Sequence, residues 1–161
     1  MGNTCTPTVM IFSRFGRCLL ASVLLVSGIS KCFYLQGFST EVSQYSELYV
    51  SSIFVPFSNQ IAIVVCCVEI LLGLLLFFSR FTLFSTFTVL VLMLFFLYLT
   101  GVNYLFPTSL GKIESCGCFG EIIHFSAKDS FIKTLVLCAI SFITFCLIIK
   151  EKQTLLYIKG E

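Results

Sequence analysis

Residues 59–79 read NQIAIVVCCVEILLGLLLFFS and carry one charged side chain, Glu69. About 20 consecutive apolar residues are enough for a helix to cross a bilayer. Backbone polar groups in lipid must be satisfied within the segment, so such a stretch is expected to be helical. Equivalent stretches recur along the chain, and the sequence predicts an all-α fold: a membrane four-helix bundle. The bundle forms a single domain over residues 1–161, with spans near 14–35, 59–79, 81–106 and 130–150.

The composition agrees with a protein that lies within a lipid bilayer. Hydrophobic residues make up 58% of the chain and charged residues only 11%, whereas soluble domains carry about 25% charged residues. The net charge of +2 is too small to indicate a nucleic-acid partner. The chain also has no glycine-rich phosphate loop and no hydrolase triad, which excludes the commonest nucleotide-dependent and hydrolytic functions.

Basic residues are unequally divided between the two sides of the predicted bundle. One side carries Arg14, Arg17, Arg80, Lys150, Lys152 and Lys159. The other side carries Lys31, Lys112, Lys128 and Lys133 together with the acids Glu41, Glu47, Glu114, Glu121 and Asp129. Because lysine and arginine accumulate in cytoplasmic loops, both termini are predicted to be cytoplasmic. In a bacterium, the loop between the last two spans would then face the periplasm from the cytoplasmic (inner) membrane.

The nine cysteines of the chain differ in their surroundings. Cys5 is in the N-terminal tail, and Cys32 is near the end of the first span. Only Cys116 and Cys118 form a close pair in a polar loop. The remaining five lie in apolar runs, where a thiol behaves as a small hydrophobe: Cys18, Cys66, Cys67, Cys138 and Cys146.

The Cys116–Cys118 pair is the predicted catalytic site. A disulfide requires Cα atoms about 4.4–6.8 Å apart, and Gly117 permits the turn that this demands. The small ring would be strained, and a strained disulfide is readily reduced, which favours thiol–disulfide exchange. Two alternatives stay open: a static disulfide, and a Cu(I) or Zn(II) site that adds His124 to the two thiolates. Metal is the less favoured alternative because the loops supply too few ligands.

Several further residues belong to the predicted thiol environment. Phe119 and Gly120 follow the pair directly, and His124 would stabilise a thiolate when protonated. Cys32 lies on the same side of the membrane as the pair, so it is a candidate resolving thiol. The alternative for Cys32 is a small residue in the seam between helices.

A second constellation lies inside the membrane. Glu69 is in the middle of an apolar span, where a carboxylate is costly and is usually paired or functional. Lys31 is at the outer part of the first span, and its long stem can reach inward. We expect a Lys31–Glu69 ion pair between the first two spans, or alternatively a proton relay to a quinone. The small residues Gly28 and Gly73 would let these helices approach closely.

Three elements in chain order carry a family resemblance: Ser27-Gly28-Ile29-Ser30-Lys31, Glu69-Ile70-Leu71-Leu72-Gly73 and Cys116-Gly117-Cys118-Phe119-Gly120. With them, the chain resembles the DoxX-like / MauE family of bacterial redox-associated four-helix membrane proteins, from about Arg14 to Lys150. The resemblance implies disulfide chemistry outside the cytoplasmic membrane beside a thioredoxin-like partner. In MauE proteins this role accompanies maturation of methylamine dehydrogenase and so belongs to methylamine metabolism.

The predicted function is therefore a membrane thiol–disulfide redox protein. Cys116 and Cys118 would exchange with an extracytoplasmic thioredoxin-fold partner or client, and a quinone (ubiquinone or menaquinone) would be the other electron carrier. This makes the chain a candidate oxidoreductase. The alternatives are a membrane assembly or scaffold subunit with a static disulfide and a Cu- or Zn-binding protein.

Overall fold

The computed structural model of the chain describes residues 7–78, 82–105 and 127–159. These ranges contain no strand, and their helices are α1 (Pro7–Phe33), α2 (Leu35–Tyr45), α3 (Ser58–Phe77), α4 (Thr82–Leu105) and α5 (Ala127–Lys159). A π-helical turn (Ser46–Val50) and a 3-10 segment (Ser52–Phe57) connect α2 to α3.

Four helical segments are long and apolar enough to cross a membrane: Val9–Phe33, Ser52–Phe77, Thr82–Leu105 and Lys128–Thr154. The predicted all-α architecture with four spans is therefore confirmed, and the chain is a multi-pass membrane protein. The helical bounds differ from the predicted ones mainly at the start of α1 and at the end of α5. The first helix begins earlier, at Pro7, because proline is well tolerated in a first helical turn.

Each long helix turns one stripe of residues toward the bundle axis. In α5, for example, the buried positions recur every three or four residues: Ser130, Thr134, Cys138, Ser141, Thr144 and Ile148. This spacing is the helical period. Large apolar side chains on the other faces, such as Phe12, Phe84 and Phe142, are more than half exposed, as expected where the surrounding solvent is lipid. The inward face of α5 therefore carries mainly small, partly polar side chains, and large apolar side chains face the lipid.

Small hydroxyl side chains make the inward stripes partly polar, and several of these hydroxyls bond to the backbone of their own helix. Thr86 donates to the Thr82 carbonyl at 2.6 Å, Thr134 to that of Ser130 at 2.8 Å, and Thr144 to that of Ile140 at 2.8 Å. Each is a bond to the preceding helical turn. Small residues at helix interfaces let membrane helices pack closely without a hydrophobic driving force between them.

Helix α1 packs along α3, and α4 packs along α5. Helix α1 approaches α3 closely at Gly28, where an added Cβ would lie 2.8 Å from Ile70 Cγ1 and 3.3 Å from the Cys66 carbonyl oxygen. At Gly73 an added Cβ would lie 3.2 Å from the Ala21 carbonyl oxygen. Both glycines thus serve the interface for which the sequence analysis singled them out.

Helices α3 and α4 are consecutive in the chain, yet they contact each other less extensively than α1 contacts α3 or α4 contacts α5. Residues 79–81, which join them, lie outside the described residues. Sequence proximity therefore does not make this pair the tightest one. Between α3 and α4 lies part of a cavity that α1, α2 and the 3-10 segment also line.

Different helix termini and side-chain contacts form the two ends of the bundle. At one end, Arg17 donates to the Leu76 carbonyl at 2.7 Å and Ser13 donates to Glu151 at 2.8 Å. This end contains the start of α1 and the last turns of α3 and α5. The opposite end is covered by α2, and we call it the α2 end. There α1, α2 and α4 finish and α3 and α5 begin, with the Tyr104 ring stacked on Phe131 at 5.5 Å.

Helix α2 is a lid packed on the α2 end. Its Phe38 and Tyr45 side chains are buried, and Phe38 forms a cluster with Ala62 and Cys66 of α3. Phe38, Val42 and Tyr45 recur in the sequence at helical spacing, which is typical of a short amphipathic helix. Packing against α3 agrees with the lid.

Candidate functional site

The structure brings Lys31 and Glu69 together inside the bundle. Lys31 Nζ donates a hydrogen bond to Glu69 Oε1, and each side chain is only 1% exposed. Glu69 Oε2 has no hydrogen-bond partner among the described residues. A charge buried in a membrane is costly unless it is paired, so each member holds the other in place. Whether the pair also relays protons stays a prediction.

Two aromatic rings complete the surroundings of Lys31. Its ammonium lies 5.0 Å from the centre of the Phe38 ring of α2 and 4.8 Å from that of Phe96 in α4. A desolvated cation over an aromatic face gains about 2 kcal/mol. Lys31 therefore joins three elements to its own helix: α3 through Glu69, α2 through Phe38 and α4 through Phe96.

A cavity of about 260 Å³ lies beside Lys31 under the α2 lid. Its walls come from α1, α2, α3, α4 and the 3-10 segment, and most of its lining is apolar. Polar side chains at its wall include Lys31, Glu41, Tyr45, Ser46 and Thr100. A mostly apolar pocket with a few polar groups is typical of a small-molecule site.

A second, smaller cavity of about 30 Å³ lies on another side of the ion pair. Its lining includes Ser27, Lys31, Glu69, Lys133 and Thr134. Such a volume is large enough for a water molecule, and the lining offers several polar partners. Lys31 lines both cavities, whereas Glu69 lines only the smaller one.

Cys32, the predicted resolving thiol, contacts a different cysteine within the described part of the chain. Cys32 on α1 and Cys66 on α3 are neighbours across the α1–α3 interface. Cys66 is 1% exposed, whereas Cys32 is exposed at the surface of the bundle. Both are unbridged. The contact lies one residue from Lys31 and one helical turn from Glu69.

Comparison with known proteins places the chain in a family. The model of the family described as methylamine utilisation protein MauE matches residues 9–148, which is most of the chain. This chain belongs to the MauE family. Protein TlpB from Flavobacterium psychrophilum is 31% identical over 125 residues, which make up 74% of this chain and 32% of that protein. The chain therefore spans about a third of the length of that relative. No solved structure matches it.

The MauE half of the predicted resemblance is thereby confirmed. The DoxX-like half is not tested by either comparison and stays a prediction. The matched region ends at residue 148, within α5, and includes the first three spans and most of the fourth. It therefore contains every residue of the candidate site, including those that the structure does not describe.

The predicted thiol pair is in that undescribed part of the MauE-family domain. Cys116, Gly117 and Cys118 lie outside the described residues, as do Phe119, Gly120 and His124. The flanking residues Leu105 and Ala127 end α4 and begin α5, so both are at the α2 end. Within residues 7–78, 82–105 and 127–159, no three His, Cys, Asp or Glu side chains are grouped as metal ligands would be.

Cys66 is the site residue that sequence reasoning missed, because it stands in an apolar run and was interpreted as a small hydrophobe. A signal was nevertheless present. Cys66 precedes Glu69 by three residues, and Cys32 follows Lys31 by one. Helices α1 and α3 are antiparallel and are joined by the Lys31–Glu69 pair. Moving forward along α1 to Cys32 and backward along α3 to Cys66 therefore leads toward the same end of the bundle.

Proposed function

We propose that this MauE-family chain is a membrane thiol–disulfide redox protein. Cys116 and Cys118 exchange with an extracytoplasmic thioredoxin-fold partner or a disulfide-containing client. The chain lies in the bacterial inner membrane with these cysteines on the periplasmic side, and it shares the redox role implied by its DoxX-like resemblance. The methylamine utilisation in the family's name makes a periplasmic enzyme of amine oxidation one candidate client.

One observation carries the proposal: the segment that contains both cysteines is tethered at the α2 end of the bundle. Its flanking residues, Leu105 and Ala127, belong to the end that also holds the buried ion pair and the apolar cavity. A thiol pair tethered there can face the aqueous phase and remain close to a site within the membrane. This arrangement suits transfer of electrons between a soluble protein and a lipid-soluble carrier.

The residues of the larger cavity fit a quinone ring. Phe38, Val65, Phe96 and Leu99 offer apolar and aromatic surface, while Lys31 offers an N–H donor for a ring oxygen. The volume of about 260 Å³ suits a ring rather than a whole isoprenoid tail. The isoprenoid tail of the quinone would leave the cavity between α3 and α4 toward lipid. A bound quinone supplies an acceptor for two electrons and two protons.

The chain's own residues have separate tasks in this scheme. The client's two thiols lose two electrons and two protons as their disulfide forms, and the Cys116–Cys118 disulfide is reduced to two thiols through a mixed disulfide. Lys31 orients the ring oxygen, and Glu69 holds Lys31 in position. Helix α2 excludes water from the cavity.

The test is client oxidation by membranes that contain the wild-type chain, Cys116→Ser or Cys118→Ser. A disulfide-free thioredoxin-fold protein with one reactive dithiol serves as the probe, and its oxidation is followed by maleimide mass tagging. We expect each variant to lose at least a hundredfold in rate, because neither serine can form the disulfide. Cys146→Ser is the matched control, since Cys146 lies in the last helix near the opposite end.

Retained oxidation in both loop variants would exclude the proposal. A scaffold subunit would then be favoured if the same variants still copurified with a stoichiometric partner. Bound Cu or Zn by elemental analysis of the wild-type chain, lost in the loop variants, would favour metal binding instead.

A further inference from the structure

A cavity of about 540 Å³ lies at the end of the bundle opposite α2, and the proposed function does not use it. Its volume is within the range of about 300–1,000 Å³ that is typical of ligand pockets. All four spanning helices line this cavity: Arg14 and Arg17 belong to α1, Leu76 to α3, Thr82 to α4, and Glu151 and Lys152 to α5. The space therefore suits a small polar group held where four helices meet.

The charged side chains that line the cavity have a net positive charge. Arg14, Arg17 and Lys152 are cationic, and Glu151 is the one carboxylate among the described lining residues. Ser13, which is 1% exposed, donates a hydrogen bond to Glu151 Oε2 at 2.8 Å. Part of the carboxylate's charge is therefore already compensated by a neighbouring donor. A concave surface with this balance of charge attracts an anion.

Arg17 has a guanidinium donor for which the described residues offer no acceptor. Its Nη2 donates to the Leu76 carbonyl at 2.7 Å, whereas its Nε is buried and has no hydrogen-bond partner in the described part of the chain. A buried donor without a partner costs free energy, and the fork of guanidinium donors matches the oxygens of a phosphate. The bond to Leu76 holds the guanidinium at the cavity wall and leaves Nε for a phosphate oxygen.

The first turn of α4 adds backbone donors to the same wall. Thr82 begins this 24-residue helix and lines the cavity. The first N–H groups of a helix have no partner within it, and the positive end of the helix dipole favours an anion. The end of α3 has the opposite polarity, but Arg17 offsets part of it through its bond to the Leu76 carbonyl.

The position of the cavity along the helices matches the boundary between acyl chains and headgroups. Phe77 is the last residue of one candidate span and Thr82 is the first residue of the next. Phe15 directly follows Arg14 in α1, Phe77 lines the cavity, and both aromatic side chains are at least half exposed. Basic pockets between spanning helices bind the headgroups of anionic lipids. A ligand that enters from the bilayer would meet the cations and the aromatic surface together.

We propose that this cavity binds the phosphate of a phospholipid with a net negative headgroup, such as phosphatidylglycerol, from the leaflet that surrounds this end. Arg14, Arg17 and Lys152 bind the phosphate oxygens, and the acyl chains lie against Phe15 and Phe77. The inference does not depend on the proposed redox function, because none of these residues lines the two cavities beside Lys31.

Native mass spectrometry of the purified full chain in detergent tests this proposal. The chain is titrated with phosphatidylglycerol, with phosphatidylcholine of the same acyl chains, and with inorganic phosphate. We expect one phosphatidylglycerol molecule to bind at least about tenfold more tightly than phosphatidylcholine. Arg14→Gln and Lys152→Gln should each weaken its binding about fivefold, because each variant removes one positive charge from an exposed side chain.

Lys150→Gln is the matched control. Lys150 is an exposed residue of α5 at the same end of the bundle, but it does not line the cavity. We expect its replacement to change the affinity for phosphatidylglycerol by less than about twofold. A loss in Lys150→Gln equal to that in the two cavity variants would overturn the proposal, because diffuse surface charge would then explain the binding.

Arg17→Lys tests the guanidinium itself. Lysine keeps the charge and a donor for the Leu76 carbonyl but has no second edge of N–H groups. The affinity for phosphatidylglycerol should fall about fivefold, while the unfolding temperature of the lipid-free chain stays at the wild-type value. Wild-type affinity in this variant would overturn the role of Arg17.

The choice of ligands distinguishes a lipid from a free ion. Equal affinity for the two phospholipids overturns the proposal. Displacement of phosphatidylglycerol by inorganic phosphate at the same concentration also overturns it, and it would identify the cavity as a site for free phosphate.

Discussion

At the scale of single residues, the Lys31 side chain contacts three other helices of the bundle. It bonds to Glu69, lies over two aromatic rings and lines both cavities at the α2 end. Removing one partner of a buried ion pair leaves an uncompensated charge, whereas removing both does not. Single and double substitutions can therefore show how much the ion pair contributes to stability, independently of any chemical role.

Lys31→Met and Glu69→Leu should each destabilise the chain by about 3–5 kcal/mol, because each leaves one buried charge unpaired. The double variant should lose less than either single variant. Unfolding in sodium dodecyl sulfate, followed by circular dichroism, measures these free energies. Losses that simply add in the double variant would show that the two side chains are not coupled in the folded state.

At the scale of elements, the bundle depends on how closely α1 approaches α3. The two helices meet at Gly28 and Gly73, where a methyl group has no room. Toward α4, by contrast, Ile61 and Val65 of α3 line the larger cavity. Close packing on one face of α3 and loose packing on the other give this helix a structural side and a side suited to a ligand.

Gly28→Ala should destabilise the bundle by about 1–3 kcal/mol, because the added methyl group would lie 2.8 Å from Ile70 Cγ1 and 3.2 Å from Glu69 Cβ. Gly101→Ala is the matched control. Its added Cβ would lie 3.4 Å from the Phe131 ring, an ordinary contact. Alanine should therefore be neutral there or stabilise α4 by about 0.5–1 kcal/mol. Thermal unfolding in detergent compares the two, and equal effects would contradict close packing at Gly28.

Phe95→Trp should report a ligand in the larger cavity. The chain has no tryptophan, so a single introduced indole gives the only tryptophan fluorescence. Phe95 and Phe84 are both more than half exposed on the same helix, but only Phe95 lines the cavity. A short-chain quinone should quench Phe95→Trp saturably and Phe84→Trp only in proportion to its concentration in the detergent. Identical linear quenching at both positions would argue against a quinone in this cavity.

At the scale of the whole molecule, α1 begins and α5 ends at the same end of the bundle, and α2 covers the other end. The opening of the cavity and the two ends of the undescribed segment 106–126 lie at the α2 end. The distribution of lysine and arginine predicts that this end faces the periplasm. The orientation of the bundle decides whether cytoplasmic or periplasmic proteins can reach the thiol pair.

Lys112→Cys and Lys152→Cys, each placed in a Cys116→Ser/Cys118→Ser chain, should be labelled differently by a membrane-impermeant maleimide. Cys5 and the remaining native cysteines are corrected for by labelling the parent chain. We expect the residue introduced at position 112 to react in intact cells, and the residue at position 152 only after permeabilisation. The reverse pattern would show that the bundle is inserted the other way round.

Much of the fold could be predicted from local sequence, and much of the candidate site could not. Glu69 was recognisable because a lone carboxylate in an apolar span demands a partner, and Lys31 was the basic residue within reach. Phe38 and Phe96 were not recognisable as its neighbours, because 19 phenylalanines fill similar apolar surroundings. Cys66 was concealed in the same way among the cysteines of the apolar runs.

The sequence by itself determined the number of spans, their helical nature and the need for an intramembrane ion pair. These properties follow from the length of apolar runs and the cost of an isolated charge in lipid, both of which are local. Only the tertiary structure decided that Cys32 meets Cys66 and that a cavity opens between α3 and α4. Those contacts depend on how each helix is rotated and shifted along its neighbour. Apolar residues that face lipid and apolar residues that face the bundle look alike in the sequence, so the sequence specifies neither quantity.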